Sequence, residues 1–118
     1  LREVEMIVGR EENVRPTEVN EKDIEGVSMK VVISADDGAP NFVMRVFDIE
    51  PGGHTAYHTH AWEHEVFVLE GKGIVRQGER EYPLERGSFV LVPPGEEHNF
   101  ANTGDGPFRF ICVVPIVG

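Results

Sequence analysis

The chain has 118 residues, room for one domain around one core. With 11 Lys and Arg against 21 Asp and Glu, a formal net charge of −10, it lacks the cationic surplus that neutralises phosphates, which excludes nucleic acid as the expected partner. At 40% hydrophobic residues and a mean hydropathy of −0.25 the composition is that of a globular fold and excludes wholesale disorder.

No stretch approaches the ~18 apolar residues of a membrane-spanning helix. Leu1-Arg2-Glu3-Val4-Glu5 has neither the basic start nor the apolar middle of a signal peptide. The expected setting is cytoplasmic, with no membrane partner, and the lack of a starting Met leaves open residues ahead of Leu1. The lone cysteine, Cys112, excludes an internal disulfide, a cysteine zinc knuckle and a Cys-x-x-Cys redox pair. A bound metal must then rest on nitrogen and oxygen donors.

The chain opens with a short apolar run, Val4 to Val8, read as a strand in an N-terminal arm that pairs with a neighbouring subunit or packs on its own barrel. Glu11 to Glu25 is polar and acidic with Pro16 inside it, so residues 1–26 read as arm and surface loop, with Thr17 to Ile24 a solvated turn or short helix. Strand-length runs rich in Val, Ile and Phe follow at Val27–Ser34, Phe42–Ile49, Glu65–Leu69, Ile74–Gln77, Ser88–Val92, His98–Asn102 and Phe108–Val114. Such residues suit a pleated, half-buried surface. Turn clusters separate them, among them Glu50-Pro51-Gly52-Gly53, Gly71-Lys72-Gly73, Pro93-Pro94-Gly95 and Asn102-Thr103-Gly104-Asp105-Gly106-Pro107. Many short strands at near-regular spacing, with no long helical periodicity, predict an all-β sandwich, barrel or jelly roll over 27–118.

Three of the five histidines fall within His58-Thr59-His60-Ala61-Trp62-Glu63-His64. On a strand, alternate side chains share a face, so His58 and His60 point to one side, and His64 can return over the same face. Clustered imidazoles suit Mn, Fe, Zn, Ni or Cu and do not suit Ca or Mg, which demand oxygen. A fourth nitrogen, His98, follows the Pro93-Pro94-Gly95 turn. By strand parity only one of His64 and Glu65 faces the cluster; His64 is the expected donor and Glu65 the alternative. His54 shares the parity of His58 and His60, but the turn ahead of it sets it apart.

Both stretches resemble the two motifs of the cupin superfamily. Gly52, five residues, His58-x-His60, three residues, His64, six residues and Gly71 reproduce the first; Gly87, five residues, Pro93-x-Gly95, two residues, His98, three residues and Asn102 reproduce the second. The commonest family pattern has Glu where this chain has His64. The resemblance implies a double-stranded β-helix, a jelly-roll barrel, with metal motifs over 52–71 and 87–102. It is nearest to small single-domain bacterial and archaeal cupins with a four-histidine, manganese-type site, and it implies a homodimer.

A four-nitrogen site keeps the metal's full +2 charge and leaves open positions, which suits anionic ligands or O2. A closed tetrahedral zinc site is the structural alternative. Inward parity on the last strand makes Phe110, Cys112 and Val114 expected pocket residues. Arg45, inside an apolar strand, is expected either in that pocket, facing a substrate carboxylate, or outward in a salt bridge. The expected function is a metal-dependent oxygenase or dioxygenase acting on a small organic substrate. A metal-dependent isomerase or lyase, with Glu65 or bound hydroxide moving the proton, is the alternative within enzymes. A non-catalytic module binding a sugar or carboxylate is the alternative outside them.

Overall fold

The computed structural model describes residues 5–117, and nine strands carry the fold: β1 (Thr17–Glu18), β2 (Glu25–Ile33), β3 (Phe42–His54), β4 (His64–Glu70), β5 (Lys72–Gln77), β6 (Arg80–Glu85), β7 (Phe89–Val92), β8 (Asn99–Asn102) and β9 (Phe108–Pro115). Helix is confined to two 3-10 turns at Glu11–Asn13 and Ala35–Asp37. The strands form one sheet in the order β6-β5-β8-β3-β9-β4-β7, with β2 also paired to β3 and β1 to β2. Every pairing is antiparallel. The sheet curls into a nearly closed jelly-roll barrel, as expected.

Strand β3 joins the two halves of the barrel. Its first part runs beside β9 from Phe42↔Pro115 to Ile49↔Phe108, and its last residue pairs with β8 as His54↔Ala101. Between these, Gly52 takes φ of 81°, a left-handed conformation that costs glycine little, and the strand turns from one half to the other. Strand β9 alternates strictly, with Phe108, Phe110, Cys112 and Val114 buried. They meet Val27, Ile49, Val66, Val68, Val75, Leu84, Val92 and Phe100 in one core. Gly73 makes room for this packing, since a Cβ there would stand 2.5 Å from the Phe108 ring.

The N-terminal expectations need correction. Val4 lies outside the described residues, and Glu5–Val8 is not a strand: the segment has no regular structure, and Met6 and Val8 are almost wholly exposed. Among the described residues no strand pairs with them. Thr17–Ile24 is neither a helix nor only a solvated turn, because Thr17 and Glu18 pair with Met29 and Ser28 while Val19 and Ile24 pack against the core. Strand β6 is hidden in the sequence because Arg80-Glu81-Tyr82-Pro83-Leu84-Glu85 buries only Leu84. It forms as an edge strand on β5, where Pro83 is tolerated.

Candidate metal centre

His58 and His60 do not lie on a regular strand as parity assumes. They follow the end of β3, where only an isolated bridge, His58↔His98, continues the pairing. That bridge joins the two motifs directly: His58 N–H donates to the His98 carbonyl at 3.1 Å and His98 N–H to the His58 carbonyl at 3.0 Å. Gly95 N–H donates to the His60 carbonyl at 2.7 Å, which ties the Pro-Pro-Gly turn to the His-x-His segment. Asn102, the last motif residue, is buried and satisfied, its amide donating to the carbonyls of Ile49 and Gly106 at 2.8 Å each.

The four motif histidines converge. Ring centroids are 4.3 Å apart for His58 and His60, 4.8 Å for His60 and His64, 5.3 Å for His64 and His98, and 5.5 Å for His58 and His98. The outer nitrogens of three of them, His58, His64 and His98, are engaged. His58 Nδ1 donates to the Ala56 carbonyl at 2.7 Å and His98 Nδ1 to the Glu96 carbonyl at 2.9 Å, so in the neutral rings the Nε2 lone pairs face inward. His64 Nδ1 stands 3.3 Å from Cys112 Sγ, and its Nε2 is buried without a partner. His60 is braced by Trp62, stacked at 4.8 Å and 17°.

As they stand, no three His, Cys, Asp or Glu donors among the described residues are arranged to hold an ion. His58 Nε2 and His60 Nε2 stand 2.6 Å apart, with His60 donating, since the neutral His58 ring spends its N–H on Ala56. Two nitrogens on a common ion at ~2.1 Å each stand roughly 3 Å apart, so these rings must part by a few tenths of an ångström to share one. The donor set fits a nitrogen-liking cation in its chemistry, its inward lone pairs and its one orphaned buried nitrogen.

His60, His64 and His98 also resist protonation. Burial, reinforced by the neighbouring histidines and Arg45, holds His64 down to about 3 from 6.5. Burial also lowers His60, with help from His58, His98 and Arg45. His98 is lowered chiefly by burial, against the hydrogen bond to the Glu96 carbonyl. Neutral rings are the form that binds metal. Burial pushes the Cys112 thiol up, against the pull of Arg45.

A 270 Å³ cavity opens on all four rings and is walled by Phe47, Phe100 and Phe110, with Val19, Glu21 and Ile24 at the N-terminal side. Arg45 and Cys112 line it too, whereas Val114 lines an adjoining 380 Å³ cavity that shares Arg45, His60 and His64. A larger cleft of 560 Å³ between β5–β6 and β7 reaches only His98 of the four.

Glu65, the alternative donor, is exposed and paired with Leu91 and Val113 on the outer face of the barrel. His54 stays outside the ring cluster, its Nδ1 against the Thr55 carbonyl. Sequence reasoning misses Phe47, which strand parity with Arg45 indicates, and Met29, whose place opposite Phe47 only the β2–β3 register shows.

Comparison with known proteins agrees with this architecture. The cupin domain family Cupin_2 matches residues 45–114. The chain is similar to the polyketide cyclase RemF of Streptomyces resistomycificus, at 31% identity and a TM-score of 0.88, covering 94% of this chain and 80% of that one. Over 67 residues, 56% of this chain and 55% of the other, it is 28% identical to an oxalate-binding protein of Thermotoga maritima. Over 69 residues it is 42% identical to a glucose-6-phosphate isomerase of Pyrococcus abyssi, matching 53% of this chain and 35% of that enzyme. The chain thus spans about half or less of the curated relatives' length. On the family match and the barrel together, the chain belongs to the cupin family.

Proposed function

We propose that His58, His60, His64 and His98 hold one divalent transition metal per chain, manganese ahead of iron, zinc, nickel or copper, and that the protein is a metal-dependent oxygenase acting on a small organic substrate. The observation that carries the metal assignment is the convergence of four imidazoles, three of them with engaged outer nitrogens, with His64 Nε2 buried and unpartnered among the described residues. When bound, such a metal would offer positions for substrate oxygen or O2 and, as Mn or Fe, would relay electrons from the substrate, which is oxidised, to O2, which is reduced.

The chain's own residues do the rest. Phe47, Phe100 and Phe110 make the cavity apolar and limit water, and its 270 Å³ suits a small substrate. Glu65 faces away from the rings, so the carboxylate base that the isomerase alternative calls on is not in the cavity. Among the described residues only Glu21, which is exposed, brings a carboxylate there. An isomerase or lyase would then depend on bound hydroxide to move the proton, whereas an oxygenase needs no side-chain base.

A second reading is O2-independent carbonyl chemistry, an isomerase, lyase or cyclase, and its support is the similarity to a polyketide cyclase and to glucose-6-phosphate isomerases. Pairing with a second copy is also proposed, through the outer face where Phe67, Phe89 and Leu91 are exposed.

Elemental analysis of untagged protein purified without added metal, followed by O2-electrode assays of the Mn-, Fe- and Zn-loaded forms, tests these readings. O2 uptake with Mn or Fe and none with Zn supports the oxygenase. Turnover that continues anaerobically supports the second reading. Ligand-dependent thermal stabilisation without turnover points to a binding module. Failure to bind any metal overturns the assignment of the rings.

A further inference from the structure

Arg45 projects from β3 into the space beside the ring cluster, opposite Cys112 on β9. Among the described residues the partners its guanidinium contacts are soft: Nη2 lies 3.2 Å from Cys112 Sγ, Nη1 3.9 Å from Met29 Sδ, and the group sits 5.1 Å from the Phe47 ring centre. Its Nε is buried with no hydrogen-bond partner among the described residues. In a chain with 21 Asp and Glu acids are not scarce, yet among the described residues none pairs with Arg45. Arg45 also lines both cavities that meet His60 and His64.

A guanidinium so placed keeps donors unsatisfied in a partly dry site, an arrangement that an incoming acceptor relieves. Sulfur is a weak acceptor that a carboxylate oxygen displaces, and a planar fork of parallel N–H groups matches a carboxylate bidentately. Among the described residues no lysine or second arginine lines the 270 Å³ cavity, so the positive charge their side chains bring is that of one group, suited to a monoanion more than to a phosphate dianion. Glu21 and Asp36, the acids lining the two cavities, are exposed and stand in water.

We propose that Arg45 is the anion anchor of this site and that the ligand is a small organic carboxylate, held by the guanidinium in the cavity onto which the four histidines open. The proposal deepens the metal-centre reading and rests on it for the ligand's second point of attachment. The anchor itself is independent of that reading. Cys112 positions the guanidinium from one side, and Phe47 from its face.

The test is calorimetric titration of pyruvate, of uncharged methyl pyruvate and of inorganic phosphate into the full chain, once loaded with Mn and once treated with EDTA. The wild type should prefer pyruvate to its ester at least tenfold. Arg45→Gln should reduce that preference to less than twofold while Mn uptake, followed by EPR, is unchanged. A wild type that does not distinguish acid from ester, or that binds phosphate more tightly than pyruvate, overturns the anchor without recourse to any variant. Retention of the preference in Arg45→Gln overturns it equally. If the wild type takes up no Mn but still prefers pyruvate after EDTA treatment, the metal reading falls and the anchor stands.

Discussion

The β3–β9 ladder carries two arginines, one on each face, and they are treated in opposite ways. On the outer face Arg109, cross-strand from Asp48, bonds that carboxylate at 3.0 Å and also reaches Glu11, which in turn bonds Lys30 at 3.2 Å. Each of these four charges has an opposite neighbour, and the cluster straps the N-terminal segment to the barrel. On the inner face Arg45, cross-strand from Cys112, has sulfur and an aromatic ring but no carboxylate. Paired charges at a surface hold segments in place for modest energy, whereas unpaired ones inside are costly and point to a ligand. The two faces of one ladder therefore separate structure from function.

Breaking the inner face should have the largest effects. His58→Ala or His98→Ala should weaken metal binding on the order of a hundredfold or more, because each removes a proposed ligand; occupancy by elemental analysis equal to wild type would contradict the ligand assignment. Phe110→Ala, which empties a nearly fully buried position stacked on Phe47 at 5.2 Å, should cost about 3–5 kcal/mol, read as a lower denaturation midpoint at unchanged slope.

Acid sharpens the comparison by its sign. His60, His64 and His98 are held below their ordinary 6.5 in the folded chain. Between 6.5 and each lowered value the unfolded state binds more protons, so stability rises with pH through that window. It should be fully present above 6.5 and fall as pH drops toward the His64 value of about 3. Metal should leave in the same direction as protons compete for the rings. Thermal melts from pH 7 to 4 check this, and a flat profile would mean the rings are hydrated.

The outer face should respond weakly. Arg109→Met should cost about 1 kcal/mol, lessened by salt, with metal uptake unaffected. Smallest of all, Glu65→Gln should leave metal binding unchanged and stability within about 0.5 kcal/mol; a large loss of metal would restore Glu65 as a ligand and break the distinction between the faces.

Much of the inner face is legible in the amino-acid sequence. Alternation on Phe108–Val114 places Phe108, Phe110, Cys112 and Val114 inward because a strand's period of two admits only two faces, and the same logic puts His64 inward and Glu65 outward. The glycine and proline turns and the two histidine motifs announce the barrel. Strand β6 escapes because its pairing, not its composition, makes it a strand, and the apolar run ahead of Gly9 misleads because such a run needs a neighbouring edge to become one.

By itself the sequence determined the all-β class, the family resemblance and the identity of the clustered histidines, since these follow from local periodicity and from spacing along the chain. Only the tertiary structure decided that Arg45 meets Cys112 and through it His64. These residues are 67 and 48 positions apart, and their contact depends on the register of β9 against both β3 and β4. It likewise decided which arginine was neutralised, because whether a charge finds a partner depends on the face it occupies and on what the other strands bring there.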